Sequence, residues 1–169
     1  MQALPNGETI RQIAIVVRDL DQAMAAWSDL GIGPWQIYDD FGPRMVKGMT
    51  FRGQAQTDGV KLALCGVGPL SFELIAPGPA PSVYREHLDR HGEGLHHLGY
   101  FIDDVRAAIA DMERRGYALL QTGHGFGADG DGAYAYFDTE RELGCVLEAI
   151  QAPKQLPPPD RWFPKPPGG

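Results

Sequence analysis

The sequence predicts an α+β fold made from one module used twice, and three observations lead there. QIAIVVRDLDQAMAAWSDLG (12–31) and HLGYFIDDVRAAIADMERRG (97–116) share length and pattern, with Asp19/Asp104, Ala23/Ala108, Ala25/Ala110 and Gly31/Gly116 identical in register. Each half also closes alike: FELIAP (72–77) is answered by LEAIQAP (147–153), which sets Glu73 and Glu148 at the same place in two closing strands. Between those ends each half reads as a strand, a helix and about three further strands, a βαβββ order repeated.

Along the chain, IRQIAIVV (10–17) is rich in β-branched residues and predicts the first strand. Asp19 stands where an N-cap belongs, Leu20, Ala23, Met24 and Trp27 follow at helical spacing, and Gly31 supplies the stop. WQIYDDF, MVKGMTFRG, VKLALCGVG and LSFELIA are extended segments bounded by turn residues. SVYREHLDRHGEG (82–94) predicts a linking helix capped by Ser82 and ended by Gly92. The second half repeats the scheme with a strand at 97–102, a cap at Asp103 or Asp104, and a stripe of Val105, Ala108, Ile109 and Met112 up to Gly116. YALLQT, AYAYFDT and CVLEAI complete it, and TGHGFGADGDG (122–132) is expected to be a hairpin loop.

Gly31 to Glu73 spans 42 residues and Gly116 to Glu148 spans 32. The excess is expected in a longer hairpin around Tyr38 to Gln54, at the mouth of a pocket. The expected organisation is a first module at 1–80, a linking helix at 81–94, a second module at 95–152 and a proline-rich tail at 153–169. Seven of the tail's seventeen residues are proline, which excludes a regular helix or a central strand. It reads either as a disordered extension or, because of Trp162 and Phe163, as a segment packed back on the body.

Composition narrows the function. With 169 residues, each half is small for independent stability, so the halves should share a core or pair with another chain, a homodimer among the possibilities. A net charge of −7 with scattered basic residues argues against a nucleic-acid partner. No apolar run reaches the roughly 18 residues of a membrane span, and MQALPNGETI lacks the basic and apolar regions of a secretory signal, so a cytoplasmic location is expected. Cys65 and Cys145 fall in predicted strands and are expected to be buried, reduced thiols. Asp129 and Asp131 lack the closing glutamate of a calcium loop, and no GxSxG elbow marks a serine hydrolase.

Singly, a strand histidine or glutamine signals nothing, but the repeat places Gln12 and His97 at equivalent starts, and Glu73 and Glu148 at equivalent ends. Strand alternation puts Ala14 and Val16 on the face of Gln12, and Gly99 and Phe101 on the face of His97, leaving space beside the polar groups. His96, one residue out of phase, is expected to face away, and Tyr100 to serve packing. A carboxylate on an apolar strand face needs a cation or a bound ion as partner. Gln12, Glu73, His97 and Glu148 are therefore candidate metal ligands, with three oxygens, one imidazole nitrogen and a charge of about −2 that suits one divalent ion such as Zn, Co, Ni, Mn or Mg.

The strand–helix start, GEGLHHLGYFIDD (92–104) and GCVLEAI (144–150) resemble the vicinal oxygen chelate superfamily of glyoxalases, methylmalonyl-CoA epimerases, bleomycin-resistance proteins and extradiol dioxygenases. The resemblance covers roughly residues 8 to 152 and is strongest for the epimerase and glyoxalase I branches. It implies two paired βαβββ modules in a curved mixed sheet around a metal-binding cavity, with ligand positions at Gln12, Glu73, His97 and Glu148. Epimerases of this type carry His at the first position and Gln at the second, whereas Gln12 and Glu73 match one class of glyoxalase I. Ring-cleaving dioxygenases use two His and one Glu on iron, and Gln12 removes one of those histidines.

What the resemblance implies is a metal-dependent isomerase, epimerase or lyase acting on a small carbonyl or thioester compound through a metal-stabilised enolate. Glu148 or Glu73 would be the base, ahead of Asp39, Asp40 and Lys47. The alternative is a non-enzymatic binder of a drug or metabolite in the same fold. An acyl-CoA substrate would need basic docking groups, for which Arg44, Lys47 and Arg52 are the candidates, and Trp35, Tyr38 and the tail are expected to set specificity at the pocket mouth.

Overall fold

In the computed structural model, residues 10–165 are described; the predicted first module's residues 1–9 and the tail's residues 166–169 lie outside them. The chain runs β1 (Ile10–Val16), α1 (Leu20–Asp29), β2 (Trp35–Phe41), β3 (Lys47–Phe51), β4 (Gln54–Ala55), β5 (Val60–Val67), β6 (Leu70–Pro77) and α2 (Val83–His91). It continues with β7 (Gly94–Phe101), α3 (Val105–Arg114), β8 (Leu119–Phe126), β9 (Gly132–Phe137), α4 (Glu140–Leu143), β10 (Val146–Gln151) and β11 (Arg161–Phe163). All strands join one curved mixed sheet in the order β11-β2-β5-β6-β1-β7-β10-β9-β8-β3-β4.

Local chemistry sets the helices. The Asp19 carboxylate accepts from the Gln22 amide at 2.9 Å, and Asp104 accepts from Arg106 and Ala107. Gly31 and Gly116, at φ of 87° and 89°, take the left-handed turn that ends each helix. α1 buries Leu20 and Met24, and α3 buries Val105, Ala108 and Met112, so each presents one apolar stripe to its own half of the sheet. Ser82 accepts from the Arg85 amide and caps α2. That helix lies across the other face, where Tyr84 and Leu88 join the cluster of Ala14, Val16, Tyr38 and Tyr136.

The register makes the two halves equivalent. Gln12 pairs with Ser71 and Ala14 with Glu73 across parallel β1 and β6, while His97 pairs with Val146 and Gly99 with Glu148 across parallel β7 and β10. The central β1–β7 pair is antiparallel, matching Gln12 to Gly99 and Ala14 to His97, which is the relation a twofold axis between them requires.

Two expectations change, and of the two readings of the tail the one packed back on the body holds. The excess of the first half is the β3–β4 hairpin, but it crosses over and pairs with β8 instead of standing at a pocket mouth. The tail returns as β11 on β2, with Asp160 accepting from the Asp39 amide at 2.8 Å and Arg161 bound to Asp39 and Asp21. Each addition thereby covers an otherwise open sheet edge, whose unpaired backbone groups would invite foreign strands. Trp35 does not reach the mouth: its ring is fully buried beside Phe72 and its indole N–H donates to Ser28 on α1. Cys65 and Cys145 are buried free thiols, and no helix among the described residues is long and apolar enough to cross a membrane.

Candidate active site

The β1–β7 seam carries the site. Gln12, Glu73, His97 and Glu148 are all buried, with His97 fully enclosed. His97 Nε2 lies 3.0 Å from Glu148 Oε2 and 3.4 Å from Glu73 Oε2, so the structure brings the imidazole between two carboxylates from different halves. The 3.0 Å approach is poorly directed for a hydrogen bond, which leaves His97 Nε2 and Glu148 Oε2 without a hydrogen-bond partner; Gln12 Oε1 is likewise buried and unpartnered. Gly99 makes the room, since a Cβ there would stand 2.8 Å from Gln12 Oε1 and 2.6 Å from Ile150 Cδ1.

Burial opposes a charge on His97, but the carboxylates of Glu148 and Glu73 outweigh it and push its pKa up to about 9. Burial likewise raises the Glu73 pKa, against the pull of His97 and with a push from Glu148. Three buried atoms without hydrogen-bond partners and two carboxylates beside one imidazole make a donor set of the kind that binds a divalent cation, whose charge would offset theirs; Gln12, Glu73, His97 and Glu148 are the residues that would hold it.

His96 does not face away. Between Ala14↔His97 and Ile15↔Leu95 the register slips, so β7 carries an extra residue at His96. Such a bulge suspends strict alternation and re-aims a side chain. His96 is buried, 5.2 Å from the Tyr84 ring and 6.0 Å from that of Tyr136, with its Nδ1 2.9 Å from His97 Nδ1. Burial above all, then the charges of His97 and His87, hold the His96 pKa well below the usual range. Neutral His96 therefore accepts from the His97 Nδ1–H, which aims His97 Nε2 at the carboxylates.

Beside these groups lies a cavity of about 220 Å³, walled by Tyr38, Phe41, Leu62, Leu64, Phe101, Phe126 and Ile150, with Ala152 and, from the returning tail, Pro153 and Leu156 completing the lining. Tyr84, Tyr134 and Tyr136 line it too, and Tyr84 and Tyr136 share a hydroxyl hydrogen bond of 2.7 Å. Burial first raises all three phenol pKa values, helped by Glu148 and Glu73 and, for Tyr84, by Tyr134 ahead of them, so these hydroxyls stay protonated. Spacing along the chain does not single out Tyr84, whereas the alternation Ala133-Tyr134-Ala135-Tyr136, on the strand beside that of Glu148, is a signal for the other two.

Tyr38 belongs to the wall, and its hydroxyl donates to the Pro157 carbonyl at 2.9 Å. The other expected contributors lie elsewhere. Arg44 is bound to Asp40, Arg52 to Glu86 and Asp39 to Arg161, and none of them, nor Lys47, lines the cavity. Tyr100 is fully buried in the opposite cluster with α3, as packing requires.

Sequence comparison identifies the class. Residues 11–137 match the profile of the Glyoxalase/Bleomycin resistance protein/Dioxygenase superfamily, and the chain belongs to that family. No curated protein sequence matches it. Among solved structures, a hypothetical protein from Bacillus halodurans is similar with a TM-score of 0.65 and 19% identity, over 90% of this chain and 99% of that one. Methylmalonyl-CoA epimerase from Mycobacterium tuberculosis gives 0.62 and 22% over 91% and 93% of the two chains. A Streptomyces coelicolor methylmalonyl-CoA epimerase in complex with 2-nitronate-propionyl-CoA gives 0.58 and 21% over 85% and 96%. At these identities the likeness is one of fold.

Proposed function

We propose that this chain is a metal-dependent isomerase, epimerase or lyase that removes a proton next to a carbonyl or thioester carbon of a small substrate. The observation that carries the reading is His97 held between Glu73 and Glu148 beside a largely apolar cavity that Gln12, Glu73 and Glu148 line, with Gln12 Oε1 buried and unpartnered. Gln12, Glu73, His97 and Glu148 would hold a divalent ion, which would supply Lewis acidity to offset the negative charge on the substrate oxygen.

The chain's own groups do the rest. The cavity wall excludes water and orients an apolar substrate body, and the protonated hydroxyls of Tyr84, Tyr134 and Tyr136 are donors for its oxygens. Glu148 or Glu73, whichever gives up its place as a ligand, would take the proton from the reacting carbon and return it.

No lysine or arginine lines the cavity, which favours a compact substrate over one recognised through phosphates there. Methylmalonyl-CoA epimerases remain relevant through the shared fold, and a neighbouring groove of about 350 Å³, carrying Arg11 and sharing Leu64, Ser71, Phe101 and Leu156 with the cavity, could take a longer arm.

Metal-loaded protein incubated in D2O with panels of thioesters and hemithioacetals tests the reading. Deuterium uptake at the carbon next to the carbonyl, lost on chelation and in Glu148→Gln, is expected. Ligand binding without exchange, in protein holding less than about 0.2 equivalents of metal even after reconstitution, would establish the binder instead.

A further inference from the structure

We infer that His87, His91 and Glu140 form a second site for a divalent transition-metal ion, outside the buried centre, which ties α2 to α4. His87 and His91 stand one turn apart on one face of α2, and Glu140 opens α4 immediately before the closing strand β10. One ligand atom from each lies within 4.8 Å of the other two. His91 Nε2 is 3.2 Å from Glu140 Oε1, near the roughly 3.4 Å expected between neighbouring ligands around a tetrahedral ion with bonds of about 2.1 Å.

A second observation points to a ligand. His87 Nε2 is enclosed and has no hydrogen-bond partner. These residues also line a pocket of about 30 Å³, room for one ion or water, with Asp138 on the same wall. Arg52 and Arg90 are on its rim, but both are engaged by Glu86 and leave Glu140 to His91. Two imidazoles and a carboxylate suit zinc, cobalt(II), nickel or copper(II) better than magnesium or calcium, and three protein ligands leave a position for water. The consequence reaches inward, because the His87 ring meets His96 edge-on at 5.1 Å and His96 hydrogen-bonds His97.

Zinc chloride titrated into the chelator-stripped full chain, with stoichiometry from calorimetry and bound-metal analysis, tests the inference. Wild type is expected to bind two equivalents, while His91→Ala and Glu148→Ala each keep one and lose a different one. Glu140→Gln should weaken the second equivalent at least tenfold. Zinc should raise the melting temperature of Glu148→Ala but leave that of the His91→Ala, Glu148→Ala double variant unchanged. His91 and Glu140 side chains are 49% and 37% exposed, so their replacement should leave circular dichroism unaltered. Wild-type stoichiometry with affinities within twofold in His91→Ala and Glu140→Gln would overturn the second site. A single equivalent lost in His91→Ala but kept in Glu148→Ala would support it and sink the proposed function; one lost only in Glu148→Ala would do the reverse.

Discussion

In the first half of the sheet Gln12 lies beside Ser71 and Ala14 beside Glu73; in the second, His97 lies beside Val146 and Gly99 beside Glu148. One strand further out, Leu64 faces Glu73 and Leu62 faces Ile75, where the second half sets Tyr136 against Glu148 and Tyr134 against Ile150. The ladders correspond residue for residue, but the first half contributes an aliphatic wall and an amide, the second a phenolic wall and an imidazole. Even the bulges match. β1 carries its extra residue at Arg11 and β7 at His96. Arg11 is exposed, stacked 5.1 Å over Phe101 in the open groove, whereas His96 is buried beneath α2. A duplicated backbone therefore supplies convergent positions, while side chains and the elements laid over each end give them different chemistry.

The most severe way to break this asymmetry is His97→Gln, which gives both halves glutamine at the equivalent place. Removing a direct ligand should cost more than the 10–100-fold typical of outer partners, so zinc affinity of the buried centre should fall by more than about 100-fold. Unchanged affinity by calorimetry would remove His97 from the ligand set.

Gly99→Ala comes next and copies Ala14 into the second half. Its Cβ meets Gln12 Oε1 and Ile150 Cδ1, so about 1–3 kcal/mol of stability should be lost to overpacking, with at least tenfold weaker metal binding. Ala14→Gly, the reciprocal change, should cost only about 1 kcal/mol in urea melts. Equal effects of the two would show that the cradle is not built around Gln12.

His96→Ala removes the acceptor that orients His97 and should weaken metal binding by about 10–100-fold, with partial rescue in His96→Asn. Ring-nitrogen NMR of His97 should show its tautomer preference weakened in the alanine variant; an unaltered spectrum would make His96 mere packing.

The smallest effects belong to the covered edge. Truncation after Pro153 removes Leu156 and the Pro157 carbonyl, and should alter substrate affinity while metal content stays constant. Arg161→Ala breaks solvent-screened pairs with Asp21 and Asp39 and should cost at most about 1 kcal/mol in urea melts. Unaltered substrate affinity after the truncation would confine specificity to the sheet.

Much of this was legible because the signals are local. Asp19, Ser82 and Asp104 cap helices through contacts within three residues, and strand parity placed Gly99 and Phe101 on the His97 face and Tyr100 on the other. Where parity failed, it failed at His96, because a bulge arises from a mismatch between two strands some eighty residues apart and leaves no mark in either strand alone. The hairpin and Trp35 were misplaced for a related reason: length identified the excess at residues 38–54, but its partner strand β8 lies in the other half.

The sequence by itself determined the alternation of buried and open faces and the capped helices, which follow from spacing along one short segment, and the duplication and the four polar positions, which follow from comparing two such segments. The tertiary structure decided that Glu73, His97 and Glu148 meet beside the β1–β7 seam, that His96 turns inward, and that Tyr84 of α2 and Pro153 and Leu156 of the tail line one cavity. It also brought His87 and His91 to Glu140, about fifty residues away along the chain. These outcomes depend on register and packing between distant strands and helices, where the free energy of burying an imidazole or a carboxylate is set by neighbours that only the folded chain supplies.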